Sequence, residues 1–315
     1  MKKILFICGS INQTTMLHKI ANELNEFDCY FTPYYCHGYV KLVLKAQLLN
    51  FSILGGKFRA ATERYLKNNN LKLDYEGKNN FYDLVVTGSD LIIPKNIKNK
   101  NVILVQEGMT DPKNFSYHMV RLFHLPRWFG STSTTGLSDA YVKFCVASEG
   151  YKKFFINNGC KKDKLVVTGI PNFDNCTEYL NNKFPYKDYV LVCTSDARET
   201  YKFENRKKFL KYAKSIANGR QMIFKIHPNE NTKRAAKEIK ALIPDALIYS
   251  KGNTNEMIAN CSVLVTIYST VVYVGLALGK EVYSKFELED LKKLFPIQNG
   301  GTSHINIANV CRQYL

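Results

Sequence analysis

Glu107 is an acidic residue whose position in the sequence suits proton transfer. It follows the apolar run Val102–Val105 and precedes Gly108, which permits a sharp turn. A carboxylate near the end of a buried strand is poorly placed for packing but well placed for a cleft. Burial there would raise its pKa toward the range of a general base. An exposed carboxylate in a turn is the alternative interpretation.

A histidine lies at the end of another apolar run, in the segment Lys225-Ile226-His227-Pro228-Asn229. Pro228 disfavours helical backbone at His227 and so would hold the imidazole at the end of the strand. There the ring could donate to a phosphate or protonate a leaving group. We therefore include Lys225, His227, Pro228 and Asn229 among the candidate site residues. A lone histidine is also commonly structural, and that alternative stays open.

Residues with hydroxyl groups follow three further apolar runs, and these hydroxyls could bind phosphate. Ser269-Thr270 precede the apolar stretch Val271–Leu278, and a helix N-terminus attracts anions. Gly9-Ser10 combine a glycine turn with a hydroxyl before a helix, and Thr194 and Ser195 complete the predicted phosphate-binding set. Helix capping is the alternative role of these hydroxyls. The Gly9-Ser10 loop matches neither the dinucleotide fingerprint nor the P-loop.

The elements that must position these residues alternate between short apolar runs and amphipathic stretches, which indicates βαβ units and parallel sheets. In such sheets ligands bind beyond the carboxyl ends of the strands, where the candidate residues fall. The predicted strands are Lys3–Cys8, Leu84–Thr87, Val102–Val105, Lys143–Ala147, Leu165–Thr168, Tyr189–Thr194, Met222–Lys225, Ala246–Tyr249, Val263–Thr266 and Glu281–Tyr283. The predicted helices are Thr14–Asn25, Lys41–Asn68, Ser148–Asn158, Glu204–Asn218, Lys233–Leu242, Asn255–Asn260 and Thr270–Leu278.

The length of 315 residues favours two domains, at roughly 150 residues each. Ile170–Lys187 contains two prolines and several asparagines and interrupts the periodicity, so it is the predicted linker. The sequence thus predicts an α/β protein with two Rossmann-like, doubly wound domains that face each other across a cleft. We place them at 1–172 and 173–315; one large sheet is the alternative.

Charge and cysteine content limit the partners and the compartment. The sequence has 44 Lys and Arg against 27 Asp and Glu, a net charge of +17, which favours a polyanionic partner. No recognised nucleic-acid module is present, so we predict no nucleic-acid binding.

Nine cysteines without a C-x-x-C pair indicate neither a zinc site nor a disulfide framework. The first apolar run is shorter than the roughly seven residues that a signal peptide needs, and a cytoplasmic location is predicted.

Two segments of the predicted first domain suit an anionic membrane surface. Lys41–Lys72 contains seven basic residues and one acidic residue among many apolar ones. Phe115–Phe129 mixes histidine and arginine with aromatic residues. Basic amphipathic segments with interfacial aromatics bind anionic lipid. The alternative is a solvated helix face with aromatic residues in the core.

The loops, taken in order, resemble those of the GT-B superfamily, which comprises glycosyltransferases and the related hydrolysing UDP-N-acetylglucosamine 2-epimerases. Val85–Asp90 and Val167–Asp174 look like strand ends and the interdomain segment of the epimerases. Bacterial sialyltransferases, Kdo transferases of capsule assembly and CDP-glycerol glycerophosphotransferases share three motifs. Their acidic-acidic-Gly, His-Pro and Ser/Thr motifs correspond here to Gln106-Glu107-Gly108, His227-Pro228 and Ser269-Thr270.

The resemblance implies a role for each matched residue. Glu107 would deprotonate an acceptor hydroxyl, and His227 would contact the donor phosphate and assist its departure. Ser269 and Thr270 would hold that phosphate. Such donors can stabilise the leaving charge, so neither a metal nor a cofactor is expected. The implied partners are a nucleotide-sugar donor and a hydroxyl of a surface glycan or glycolipid, and a single base favours inversion.

The sequence departs from these families at three places. Gln106 stands at the first acidic position. The stretch Val272–Gly275 lacks the carboxylate that often binds a donor ribose, which favours a CMP-activated sialic or Kdo-type sugar over a UDP-sugar or CDP-glycerol. Ser195–Thr200 lacks the histidine of the epimerase segment. An epimerase and a CDP-glycerol glycerophosphotransferase stay open as alternatives, as does a non-catalytic nucleotide-sugar or polyanion-binding protein.

Overall fold

The chain forms two parallel β-sheets with helices between successive strands. The computed structural model describes residues 1–50, 52–200 and 203–315. Two compact units are present, one made of Met1–Asp174 with Leu294–Leu315 and the other of Asn175–Lys293. The predicted α/β class with two Rossmann-like units is confirmed, and the alternative of one large sheet is wrong.

Strands and helices alternate along both units. The strands are β1 (Lys3–Cys8), β2 (Asp28–Pro33), β3 (Leu84–Thr87), β4 (Asn101–Val105), β5 (Lys143–Val146), β6 (Leu165–Val167), β7 (Val190–Cys193), β8 (Met222–Lys225), β9 (Leu247–Tyr249), β10 (Val263–Val265) and β11 (Glu281–Tyr283). The α-helices are α1 (Ile11–Asn22), α2 (Tyr39–Lys45), α3 (Gly56–Asn68), α4 (Phe115–Phe123), α5 (Glu149–Asn157), α6 (Arg206–Ala217), α7 (Thr232–Leu242), α8 (Thr254–Asn260), α9 (Val271–Ala277), α10 (Leu288–Lys293) and α11 (Ser303–Arg312).

The sheet of the first unit has the strand order β2-β1-β3-β4-β5-β6, and neighbouring strands are parallel. Leu84, Val85 and Val86 of β3 are fully buried, as a continuous apolar run predicts for a strand covered on both faces. The order changes direction between β1 and β3. The ligand crevice of such a sheet is therefore expected at the carboxyl ends of these strands.

The sheet of the second unit has the order β11-β10-β7-β8-β9, again parallel. Its core packs Val190 and Phe224 of the sheet against Phe209 of α6 and Ile239 of α7. The strand order changes direction between β7 and β10. The carboxyl ends of β7, β8 and β10 precede the candidate residues of this unit.

All ten predicted strands are present, with bounds that differ by at most one residue. The sequence did not predict β2, because its residues Asp28–Pro33 mix polar and apolar types. This strand pairs with β1 and lies at the edge of the sheet, where a terminal proline such as Pro33 is tolerated. Helices α4, α10 and α11 were also not predicted.

The predicted helix Lys41–Asn68 is wrong as a single element. Helix α2 ends at Lys45 and α3 begins at Gly56, whose φ of +54° is left-handed. A Cβ atom at Gly56 would lie 2.1 Å from the carbonyl oxygen of Asn50, so the close turn at this point requires glycine. Residue 51, which the predicted helix includes, lies outside the described residues.

The predicted domain 173–315 also differs from the structure at its end, because Leu294–Leu315 belongs to the first unit. Ile307 and Cys311 of α11 are fully buried and join the core cluster formed by β1, β3 and α1. The backbone N–H of Ser303 donates to the Asp174 carboxylate at 2.8 Å. Burial of this apolar helix face explains why the C-terminal segment packs on the first sheet.

Within the described ranges, no helix is both long enough and apolar enough to cross a membrane.

The replacement Ile307→Ala tests the packing of α11. It should lower the free energy of unfolding by about 2–5 kcal/mol, because it removes fully buried methyl groups. Ile305→Ala on the same helix is the matched control, since Ile305 is partly exposed and should change stability by less than about 0.5 kcal/mol. Urea unfolding is followed by the fluorescence of Trp128, the single tryptophan, which lies in the first unit. Equal losses in both variants would contradict the assignment of α11 to this core.

Candidate active site

Glu107 lies beyond the carboxyl end of β4 and is partly buried. Its two carboxylate oxygens accept one hydrogen bond each, from the hydroxyl of Ser10 at 2.9 Å and from Nε2 of Gln13 at 2.6 Å. Both donors come from the loop between β1 and α1 and the first turn of α1. The structure thus brings the predicted residues Glu107 and Ser10 together at the carboxyl edge of the first sheet.

The start of α1 fixes the direction of both hydrogen bonds to Glu107. Ser10 caps the helix by accepting the backbone N–H of Gln13, and the Oε1 atom of Gln13 accepts the backbone N–H of Ser10. In this capping box the Ser10 hydroxyl and the Gln13 Nε2 group keep their hydrogens for another acceptor. Glu107 is that acceptor, so two oriented donors hold its carboxyl group in place.

Two glycines leave the space that Gln13 occupies. A Cβ atom at Gly9 would lie 1.8 Å from Oε1 of Gln13, and one at Gly88, after β3, would lie 3.1 Å from its Cγ. The predicted site residue Gly9 therefore acts by allowing Gln13 to approach. Gln13 is not among the residues predicted from the sequence, although the pattern Ser-x-x-Gln at 10–13 is a recognisable capping signal.

Burial raises the pKa of the Glu107 carboxyl group, and the hydrogen bonds from Gln13 and Ser10 oppose that shift. A carboxylate offers about four lone-pair positions, and these two donors take two of them. The remaining positions can accept a proton or a hydrogen bond from a hydroxyl group. Glu107 therefore has the surroundings of a general base.

Gln106, at the position where the resembling families have an acid, has a structural role. Its Nε2 donates to the carbonyl of Gly108 at 2.8 Å, and its Oε1 accepts the backbone N–H of Ala147 at 2.9 Å. These bonds tie the end of β4 to the end of β5. Asn172 adds a bond from its Nδ2 to the Glu107 carbonyl at 3.2 Å. An amide suits this buried position because it both donates and accepts.

In the second unit, His227 follows β8 and its side chain is about one third exposed. The Nδ1 atom of the ring accepts the backbone N–H of Asn229 at 3.3 Å and lies 3.6 Å from the Asp196 carboxylate. Burial lowers the pKa of His227, while Asp196 opposes that shift. In the neutral ring Nε2 therefore carries the hydrogen and can donate it.

Thr194 fixes the backbone of His227. Its hydroxyl accepts the N–H of His227 at 3.0 Å and donates to the Glu230 carboxylate at 2.5 Å. The Glu230 side chain is fully buried and also receives Arg206 Nη2 at 2.6 Å and Arg198 Nη2 at 3.2 Å. The sequence predicted Thr194 as a phosphate ligand, whereas the structure gives it a positioning contact. Glu230 was missed because nothing in its sequence neighbourhood marks it as buried.

Lys225 and Ser195 have protein partners in the second unit. Lys225 is buried, and its Nζ lies 3.4 Å from the carbonyl of Ile226 and 3.5 Å from that of Ser250. Burial lowers the pKa of this lysine. The hydroxyl of Ser195 donates to the Glu204 carboxylate.

Ser269 and Thr270 lie between β10 and α9 and are partly exposed. The Ser269 hydroxyl accepts the N–H of Val271 at 3.5 Å, and Thr270, at the cap position, makes no side-chain capping bond. Since β10, β7 and β8 are neighbours in the sheet, this loop and His227 follow strands that lie about 10 Å apart. The two hydroxyls are therefore at the same sheet edge as His227. Within the described residues, no group of three or more His, Cys, Asp or Glu side chains is arranged to hold a metal.

No protein-family model matches the sequence, and no curated protein matches it. Solved structures match over nearly the whole chain. The UDP-GlcNAc 2-epimerase of Neisseria meningitidis bound to UDP-GlcNAc has a TM-score of 0.56 and 12% identity, covering 99% of this chain and 100% of its own. Anabaena Alr3699/HepE in complex with UDP and glucose has a TM-score of 0.57 and 12% identity, with coverage of 99% and 100%.

A third solved structure, the wall teichoic acid polymerase TagF, has a TM-score of 0.53 and 12% identity, covering 99% of this chain and 89% of its own. Each of these matches covers 99% of this chain and so includes the residues of both sheets. At such identity the similarity concerns the fold. The chain has the fold of GT-B proteins.

Proposed function

We propose that the protein is a metal-independent glycosyltransferase that moves a sugar from a nucleotide-activated donor to a hydroxyl of a surface glycan or glycolipid. The observation that carries this proposal is the carboxylate of Glu107, held by Ser10 and Gln13 beyond a parallel sheet with acceptor positions to spare. The GT-B fold supports the nucleotide-sugar donor, because the matched structures include complexes with UDP-GlcNAc and with UDP and glucose.

In the proposed reaction the acceptor hydroxyl gives its proton to Glu107 while its oxygen attacks the anomeric carbon of the donor sugar. The bond from that carbon to the phosphate oxygen breaks, and the phosphate leaves with the bonding electrons. Neutral His227 donates a hydrogen bond from its Nε2–H to the departing phosphate, and the hydroxyls of Ser269 and Thr270 donate hydrogen bonds to it as well. These donors stabilise the leaving charge. A single base on the acceptor side gives inversion at the anomeric carbon.

The donor in this proposal is a CMP-activated acidic sugar of the sialic or Kdo type. Helix α9 follows Ser269 and Thr270 directly and reads VVYVGLA, so it offers no carboxylate to the ribose of a UDP-sugar. The matched complexes with UDP make UDP the first competitor to be tested.

Two alternative functions each have one supporting observation. Epimerases are among the matched structures, but Ser195–Thr200 lacks a histidine, and His227 is the only histidine between Asn175 and Lys293. The match to a wall teichoic acid polymerase supports a glycerophosphotransferase of the CDP-glycerol type. Product analysis with and without an acceptor separates epimerisation from transfer. A donor panel that includes CDP-glycerol separates the two transfer reactions.

Glu107→Gln tests the proposed base. The variant should lose about 10²- to 10⁴-fold in transfer rate, because the amide cannot accept the acceptor proton. Its donor affinity should stay unchanged. Release of free nucleotide is measured with EDTA present, over CMP-, UDP- and CDP-linked donors. Glu149→Gln, an exposed carboxylate of the same unit, is the matched control and should keep full activity. Full activity in Glu107→Gln would exclude this residue as the base.

The pH profile of transfer tests the surroundings of Glu107. The base acts when ionised, so the rate should fall as the pH drops through its pKa, which burial places above that of an exposed glutamate. Ser10→Ala removes a hydrogen bond that lowers this pKa, and the acidic limb should move to higher pH. The rate at the high-pH plateau is compared in the same assay. An acidic limb that Ser10→Ala leaves in place would assign the limb to another group.

His227→Ala tests the proposed phosphate contact. Thermal shifts are measured with CMP, CDP, UMP, UDP and GDP, and the binding nucleotide at 100 times its dissociation constant should stabilise the wild type by about 2.7 kcal/mol. The shift should shrink in His227→Ala, because the donor to the phosphate is lost. His304→Ala in the first unit is the control. An unchanged shift in His227→Ala, with no turnover of any donor by the wild type, would refute the transferase proposal.

A further inference from the structure

Helix α4 presents apolar side chains on two opposite faces. Tyr117 and Val120 are buried against the first unit. Phe115 and Leu122 are 77% and 73% exposed, and Met119 lies between them on the same outward stripe, since the three are spaced by four and three residues. A surface helix is normally polar on its outward face. The outward stripe of α4 is therefore a surface that lacks a partner within the described residues.

The last residue of α4 and the segment that follows the helix extend this apolar stripe. Phe123, Trp128 and Phe129 are all exposed. We call the exposed side of residues 113–129 the α4 surface. Contiguous exposed apolar residues of this kind mark sites that bind proteins, ligands or membranes.

The charged side chains of the α4 surface are all basic. Lys113 and Arg121 are exposed, and the sequence contains no aspartate or glutamate from Pro112 to Ser138. His118 and His124 are also exposed. Apolar and aromatic side chains surrounded by basic ones complement a layer of anionic headgroups above an acyl phase. A water-soluble polyanion would use the basic residues and leave the apolar stripe exposed.

The α4 surface lies close in the chain to the candidate base. Helix α4 begins eight residues after Glu107, so both follow the carboxyl end of β4. Helix α2 follows β2 at the same edge of the sheet and exposes Tyr39 and Leu42. The strands β2 and β4 are three positions apart in the sheet, about 14 Å. Two helices with exposed apolar residues thus follow strands that end at the sheet edge that carries Glu107.

We propose that the α4 surface docks the protein on a membrane with anionic lipid headgroups. The outward stripe of α4 enters the interface between headgroups and acyl chains, and Lys113 and Arg121 contact the phosphates. This surface is separate from the proposed transfer reaction and stands on exposure and charge. Together with that reaction it makes the acceptor a lipid-linked glycan, whose reactive hydroxyl reaches Glu107 from the bilayer surface.

Binding of the full chain to vesicles tests the proposal. Phosphatidylcholine vesicles are compared with vesicles of phosphatidylcholine and phosphatidylglycerol. The protein should sediment with the anionic vesicles, and salt should weaken the binding because surface charges are screened. Trp128, the single tryptophan, provides a second readout, since its emission should shift to shorter wavelength when it enters the interface. No sedimentation and no emission shift would overturn the proposal.

Substitutions on the α4 surface show whether it is the docking site. Arg121→Glu changes the surface by two charges and should weaken binding about 25-fold, at about fivefold per charge. Leu122→Ser should also weaken binding to the anionic vesicles, because it removes an apolar contact with the acyl chains. The matched controls are Lys187→Glu and Phe203→Ser, which alter an exposed lysine and a 94% exposed phenylalanine of the second unit. Equal losses in the controls would overturn the assignment to α4.

Two further measurements distinguish membrane docking from self-association and from loss of donor binding. Sedimentation velocity without vesicles detects binding of a second copy of this chain to the α4 surface. If the wild type forms a dimer that Leu122→Ser dissociates, and if it does not bind vesicles, self-association would replace the lipid proposal. Nucleotide thermal shifts on the same preparations should be equal in wild type and Leu122→Ser. Vesicle binding can thus fail while donor binding persists, so the failure of one proposal is distinguishable from the failure of the other.

Discussion

The capping box at the start of α1 is the interaction on which the candidate base depends. Ser10 and Gln13 satisfy each other's backbone groups, and this leaves the Ser10 hydroxyl and the Gln13 Nε2 group available as donors. Both donors meet Glu107 because β1 and β4 end at the same sheet edge. Removal of either donor would leave a partly buried carboxylate with fewer hydrogen bonds, which is costly in a medium of low dielectric constant. The two residues that cap α1 are therefore also the residues that orient the candidate base.

In the second unit the buried carboxylate of Glu230 helps to hold the other candidate residue, His227, in position. Glu230 is surrounded by Arg198, Arg206 and the hydroxyl of Thr194, so its charge is both paired and hydrogen-bonded. A buried ion pair of this kind contributes little net stability, but loss of one partner is strongly destabilising. Because Thr194 also accepts the N–H of His227, the network holds the backbone that carries the imidazole.

The sequence predicted the strands well because parallel strands buried on both faces form continuous apolar runs, as β3 and β7 do. It missed the edge strand β2, whose faces are less uniform, and it merged α2 with α3 because the pattern alone does not reveal the close turn at Gly56. Glu107 and His227 were found because each follows a strand. Gln13 and Glu230 were not, because their roles arise from contacts between residues that lie 94 and 36 positions apart in the chain.

Burial shifts the pKa values of the two candidate catalytic groups in opposite directions. It disfavours the charged form of each, which raises the pKa of Glu107 and lowers the pKa of His227. A higher pKa makes the carboxylate a stronger base toward an acceptor hydroxyl. A lower pKa keeps the imidazole neutral near pH 7, so that Nε2 supplies a hydrogen bond to a departing phosphate rather than a proton. The proposed transfer then requires proton movement at Glu107 alone, and charge stabilisation without proton transfer at His227.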